Sequence, residues 1–272
     1  MRNLQRKSQP NEYVFWGIIA VLCLITLVFS LVPIQFFEES WRNKWLMGIL
    51  QQVFGVAAVI LLAKKFEIRL FGRPERLLYV LPCILIAVNN FPFYAYFSGK
   101  MQLSTSNPLD FILFTLHCIS VGLFEECVFR GMLFYIIASY FPKNKKGVIQ
   151  TVVVSSLLFG AAHLINLFAG ANVGATLLQV GYTVLTGGFF AFTFIQTKNV
   201  LIPAFVHATY NFCGLLFEIP QRGGLGTGVV FDMGTIILMA FVCVIIGAII
   251  VYNLIKYPEN ERKTLYKRLS IT

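Results

Sequence analysis

Charge is what this sequence has least of. Only 12% of its 272 residues are Asp, Glu, Lys or Arg, about half the share in an average soluble domain. That scarcity, with 57% hydrophobic residues and a mean hydropathy of +0.75, excludes an ordinary water-soluble domain. No Cys-x-x-Cys pair occurs, and all six cysteines (Cys23, Cys83, Cys118, Cys127, Cys213 and Cys243) lie in apolar runs. They read as small buried hydrophobes, not as disulfides. An internal repeat, a low-complexity tract and the His-Glu-x-x-His helix of soluble zinc proteases are also missing. Nor is there a sustained basic face for nucleic acid. The net charge of +10 comes from Lys and Arg grouped in short loops and tails, the pattern of topogenic signals beside anionic lipid. The expected partner is the bilayer, and no nucleic acid.

What is present is apolar. Eight hydrophobic segments lie at about 13–32, 45–63, 77–97, 111–139, 149–168, 174–196, 199–217 and 231–255. Each is near the ~20 residues that cross a bilayer as helix. They predict an all-α, polytopic membrane protein of about eight transmembrane helices with a buried polar site. The first segment is too long for a cleavable leader and runs through Pro33 into Ile34-Gln35-Phe36, without a small-residue cleavage site. Little more than Thr197-Lys198-Asn199 separates the sixth and seventh segments, which are therefore expected to form a tight antiparallel pair. A cytoplasmic N-terminus puts 17 basic residues in inside segments and four (Arg42, Lys44, Lys100 and Arg222) outside, with Arg130 in the membrane. Both termini are accordingly expected in the cytoplasm, and in a prokaryote the membrane would be the cell membrane.

A few polar residues contradict their surroundings. Glu125, Glu126 and Arg130 lie within the apolar run Phe111–Ser139, where each charge costs about 2.5–3.5 kcal/mol at the bilayer centre. They must be paired or used. Glu126 and Arg130, four apart, share a helix face and are expected to form an ion pair. Glu125 points about 100° away from Glu126, so the two carboxylates are not expected to face one partner, and Glu125 is left for a cavity. His163, His207 and Asn211 are also deep in apolar segments. At about 1.5 Å per residue, Glu125, His163, His207 and Asn211 lie roughly 22, 21, 12 and 18 Å from the cytoplasmic ends of three spans, depths that let them converge. His117 and Asn166 read as groups satisfied by neighbouring helices. Phe159, four before His163, is expected to pack on that imidazole and fix it.

These residue types suit hydrolysis. A carboxylate can act as general base on water, one imidazole can orient it, and a second His with Asn can donate to an oxyanion. Equally, Glu125, His163 and His207 could hold a metal ion, zinc being the candidate, with a fourth position open to water. Two other functions could use the same groups. A proton-coupled transporter would employ Glu and His as a relay, although no paired broken helices recur in two halves. A non-proteolytic membrane scaffold or immunity protein would keep the cluster for stability.

In this order, on three hydrophobic segments, Glu125-Glu126-x-x-x-Arg130, Phe159-x-x-x-His163 and His207-x-x-x-Asn211 resemble the motifs of the CAAX protease and bacteriocin-processing (Abi) family of intramembrane endopeptidases. Phe129-Arg130-Gly131 is also similar to the family's first motif. The resemblance implies an eight-helix core and an endopeptidase cavity open to the cytoplasm. Its substrates would be membrane-associated peptides or lipidated protein tails. By that likeness Glu125 activates water with His163, His207 and Asn211 stabilise the oxyanion, and Glu126 and Arg130 support the motif. The family has been described both as metalloproteases and as metal-independent glutamate proteases, so zinc stays open. Eukaryotic members trim prenylated Cys-a-a-X tails, and bacterial relatives are linked to peptide processing and bacteriocin immunity. On this reading the chain divides into a cytoplasmic tail over 1–12, three N-terminal helices over 13–108 and a catalytic four-helix core over 109–217. A last helix with a basic cytoplasmic tail follows over 218–272.

Overall fold

The computed structural model describes residues 10–31, 35–168, 170–220, 223–227 and 233–256. Arg2, Arg6, Lys7, Pro33, Arg222, Arg262, Lys263, Lys267 and Arg268, several of which weigh in the orientation count, lie outside the described residues. The described chain is all-α, as expected, and an isolated bridge between Leu103 and Gly226 is the extent of its β pairing. The helices are α1 (Pro10–Leu31), α2 (Ser40–Lys65), α3 (Leu81–Asn89), α4 (Phe93–Phe97), α5 (Pro108–Glu126), α6 (Phe134–Ser139), α7 (Lys145–Ala162), α8 (Val173–Thr197), α9 (Leu201–Leu215) and α10 (Met233–Ile255). A 3₁₀ turn, Leu77–Val80, leads into α3.

Asparagine starts the helices of the central bundle. The side chains of Asn107, Asn144, Asn172 and Asn199 accept from the amides of Leu109, Gly147, Ala175 and Leu201, at 3.0, 3.0, 3.1 and 2.8 Å. Each satisfies an amide that has no partner inside its own helix. Between α8 and α9 the chain reverses through Lys198 in the left-handed region, φ 53°. That turn is held from α2's side of the molecule: Val200 N–H donates to Leu70 O at 3.0 Å, and Lys198 pairs with Glu75 at 2.8 Å.

Five helical stretches among the described residues are long and apolar enough to cross a membrane: Ser40–Lys65, Pro108–Ser139, Lys145–Leu167, Val173–Thr197 and Ile236–Ile255. The protein is an integral membrane protein. All eight apolar segments contain helix, and among the described residues five are long and apolar enough to span, so the expected count of eight is not confirmed. Pro92 divides the third segment between α3 and α4. The 15 residues of α9 reach about 22 Å at 1.5 Å per residue, short of a hydrocarbon core of about 30 Å. From α1 the described side chains yield the shorter apolar stretch Phe15–Ile25.

The bundle is turned inside out relative to a soluble one. On α5, Ile112, Leu116 and Ile119 are exposed at lipid-facing positions, while Phe114, Cys118, Gly122 and Glu126 are buried. The most extensive packings are α5 on α9 and α7 on α8. The expected pairing of the sixth and seventh segments therefore needs correction: α8 and α9 do touch, but each has a larger partner, because a tight turn constrains two helix ends and not their whole faces. At Gly122 the backbones of α5 and α9 meet. A Cβ there would lie 2.7 Å from Ala204 O and 2.8 Å from Ala208 N. Gly122→Ala is thus expected to destabilise by about 1–3 kcal/mol through overpacking. Gly181, on α8, has nothing within 4 Å of its Cβ position, and Gly181→Ala should be neutral or stabilising by up to about 1 kcal/mol. Thermal unfolding of the two variants in detergent checks this, and equal midpoints would refute it.

Candidate active site

The chemistry gathers where α5 widens. Cys127–Leu133 is a π-helical stretch between α5 and α6, a feature that recurs at functional sites and that apolar periodicity does not announce. Glu126 closes α5, Arg130 stands in the π segment, and both are fully buried. Arg130 Nη1 donates to Glu126 Oε1 at 3.1 Å, and Nη2 donates to Gly187 O of α8 at 2.7 Å. The guanidinium carbon lies 4.6, 5.6 and 5.9 Å from the ring centres of Phe159, Phe190 and Phe129, within cation–π range. A Cβ at Gly187 would sit 3.4 Å from Nη2 and 3.0 Å from the Phe159 ring, so the missing side chain lets the guanidinium reach the carbonyl.

The same carboxylate oxygen holds an imidazole. His207 Nδ1 lies 3.0 Å from Glu126 Oε1. An ionised carboxylate only accepts, so Nδ1 carries the proton of that bond. His207 Nε2 then faces Glu125 Oε2 at 3.9 Å. The expectation that adjacent carboxylates cannot face one partner is corrected here. Backbone phase does separate them, but an imidazole offers two nitrogens, and two flexible glutamate side chains approach one each. The His207 ring also stacks on Phe190, with centroids 4.6 Å apart and an 18° angle between planes. Glu125 differs from its neighbour in exposure: 26% of its side chain is accessible against 0% for Glu126. Its Oε2 is buried and has no hydrogen-bond partner.

His163 ends α7 where the helix tightens into the 3₁₀ turn His163–Leu167. Its Nδ1 lies 3.0 Å from Phe159 O, a group that only accepts, so Nδ1 is protonated and Nε2 keeps a lone pair. The Phe159 ring meets His163 and His207 edge-on, at 5.3 and 5.8 Å between centroids. Phe159 thus carries both imidazoles and the guanidinium on one ring. Direct contacts join Glu125, Glu126, Arg130 and His207; His163 is joined through Phe159; Asn211, half-buried, follows His207 by one turn of α9. Asn90, which caps the end of α3, donates from Nδ2 to Tyr210 O, beside Asn211, at 2.8 Å. Neither Asn90 nor Phe190 has a signal in the sequence, whereas Gly187-Gly188 is visible as an interruption of its span.

Asn166 is satisfied by its neighbour, donating from Nδ2 to Gln179 Oε1 at 2.9 Å. His117 is not: its Nδ1 is buried without a partner, because its ring closes on the bare backbone of α2 at Gly48. Among the described residues, no group of three or more His, Cys, Asp or Glu is arranged to hold a metal ion. Glu125 and His207 approach each other without a third donor, so the residues do not compose the metal set of Glu125, His163 and His207.

Residues 107–213 match the family described as Type II CAAX prenyl endopeptidase Rce1-like. Over 129 residues the chain is 30% identical to CAAX prenyl protease 2 of Homo sapiens, across 42% of this chain and 38% of the human protein. The chain thus matches well under half of that relative's length. No solved structure matches. Residues 107–213, which carry all three polar motifs, are thus similar to the CAAX protease family.

Proposed function

We propose that this protein is an intramembrane endopeptidase that hydrolyses a peptide bond near the lipidated end of membrane-bound protein tails. Glu125 is the general base. It takes a proton from a water molecule oriented by His163 Nε2, and the resulting hydroxide attacks the scissile carbonyl. His207 Nε2–H and the Asn211 amide donate to the oxyanion. The C–N bond then breaks, and the proton held on Glu125 passes to the departing amine. With its Nδ1–H committed to Glu126, His207 donates from Nε2 as an imidazolium, a charge flanked by both carboxylates. Glu126 and Arg130 keep that ring in place. The catalytic core corresponds to residues 109–217, with both termini cytoplasmic.

One observation carries this reading: Glu125 Oε2 has no hydrogen-bond partner and lies 3.9 Å from His207 Nε2. That separation is too long for a direct bond and suits a bridging water or substrate atom. The test is cleavage of farnesylated and unprenylated Cys-a-a-X peptides of one sequence by the purified protein, with and without chelator. The farnesylated peptide is expected to be cleaved at least about tenfold faster, from binding of the lipid in the membrane phase, and chelator should leave the rate unchanged. Cleavage no faster than by Glu125→Ala protein would sink the proposal. A chelator-induced loss restored by zinc would reinstate a metal.

A further inference from the structure

We infer that Asn166 and Gln179 form a clamp that positions His163. The kinetic consequence of this inference rests on the peptidase reading, while its structural consequence stands alone. At the end of α7 the last amides bond to Gly160 O and Ala161 O, and the Phe159 carbonyl takes the His163 ring at 3.0 Å. The orientation of His163 therefore depends on the helix tightening at this residue. A 3₁₀ turn is a weak device to rely on, since its hydrogen bonds are poorly aligned and it persists only in short pieces. Here it is tied from outside. Asn166, three residues on, donates to Gln179 Oε1 of α8 at 2.9 Å, and its own carbonyl accepts from Ala171 N–H at 3.0 Å. The turn is thereby fixed to a neighbouring helix and to the loop that follows. Further along the same helix, Gly187 O accepts at 2.7 Å from Nη2 of Arg130, which stands four residues after Glu126 and five after Glu125. The helix that receives the clamp is thus the helix beside the proposed base. Asn166 and Gln179 are half-buried, both side chains are uncharged, and neither touches the reacting atoms. They are positioning residues.

Two readouts test the clamp. The first is independent of activity. The protein has three histidines, so the imidazole nitrogens can be observed by ¹⁵N NMR in detergent and assigned with His→Gln variants. Wild-type His163 is expected as the Nδ1–H tautomer. In Asn166→Ala and in Gln179→Ala that signal should shift towards mixed tautomers, while the His207 signal stays put. An unchanged His163 signal in both variants overturns the clamp, whatever the enzyme does. The second readout is kinetic, with Glu125→Ala as the inactive reference. Each single variant should lower kcat by about tenfold at unchanged KM and unchanged melting temperature. The double alanine variant should lose no more than either single, as for two halves of one bond. The reciprocal swap, Asn166→Gln with Gln179→Asn, should recover most of the rate. Additive losses, or losses matched by a fall in melting temperature, overturn it as well. If wild type is no more active than Glu125→Ala, the peptidase reading fails, and the NMR result still decides the clamp.

Discussion

Glu125→Ala is expected to lower the rate of tail-peptide cleavage by about 10²–10⁴-fold, the usual contribution of a positioned general base, while the protein stays folded. Both halves of that result follow from the site. Glu125 is partly accessible, its Oε2 has no hydrogen bond, and an imidazole nitrogen of His207 lies 3.9 Å from it. Removing it therefore breaks no short hydrogen bond of that oxygen and leaves the Glu126–Arg130 pair intact. Glu125→Gln, which keeps the shape but cannot take a proton, should be as inactive as the alanine variant. The measurement is single-turnover cleavage with size-exclusion and melting profiles of each variant in the same detergent. Activity within about threefold of wild type would remove Glu125 from the chemistry. A variant that loses cleavage yet keeps the protein's biological role would favour the non-proteolytic scaffold.

Arg130→Ala should show the converse pattern, a loss of stability of about 3–5 kcal/mol, because removing one partner of a buried pair strands the other charge. Glu126 would be left fully buried without its guanidinium, and Gly187 O would lose its donor. Arg130→Lys should recover only part of this. An ammonium can meet Glu126, but it does not reproduce the planar fork that serves Glu126 and Gly187 together beneath three aromatic rings. The paired change Glu126→Gln with Arg130→Met removes both charges and should be more stable than Arg130→Ala. Its His207 would lose its carboxylate, so cleavage should still fall. Unfolding in mixed micelles separates the cases, and an Arg130→Ala protein within about 1 kcal/mol of wild type would show that the pair is not holding the core.

Much of this was legible in the chain. The all-α class follows from long apolar segments, since a backbone in hydrocarbon must satisfy its own hydrogen bonds and a helix does so within one segment. The Glu126–Arg130 pair follows from the four-residue spacing alone. The asparagine caps at Asn107, Asn144, Asn172 and Asn199 came to light only in the structure, although each acts on an amide two or three residues away. Span number was less legible as well, because length along the sequence does not reveal that Pro92 breaks one segment or that α9 is short. The partnership of α8 with α7, and of α9 with α5, was hidden for a related reason: chain adjacency names a neighbour, and packing area decides between neighbours.

Composition and local spacing, by themselves, determined that this chain lives in a membrane, that three charges there must be paired or used, and which helix face each polar residue occupies. Those are one-dimensional properties, set by hydropathy and by a fixed rise and twist per residue. Only the tertiary structure decided that Glu126 serves Arg130 and His207 through one oxygen, that both carboxylates address the same imidazole, and that Phe159 carries two imidazoles and a guanidinium on a single ring. These depend on how closely α5, α7, α8 and α9 approach, which is set by glycines at 122 and 187 and by a π-helical turn. Side-chain reach is a few ångströms, so the distance between helices, unlike the phase along one, selects which groups meet.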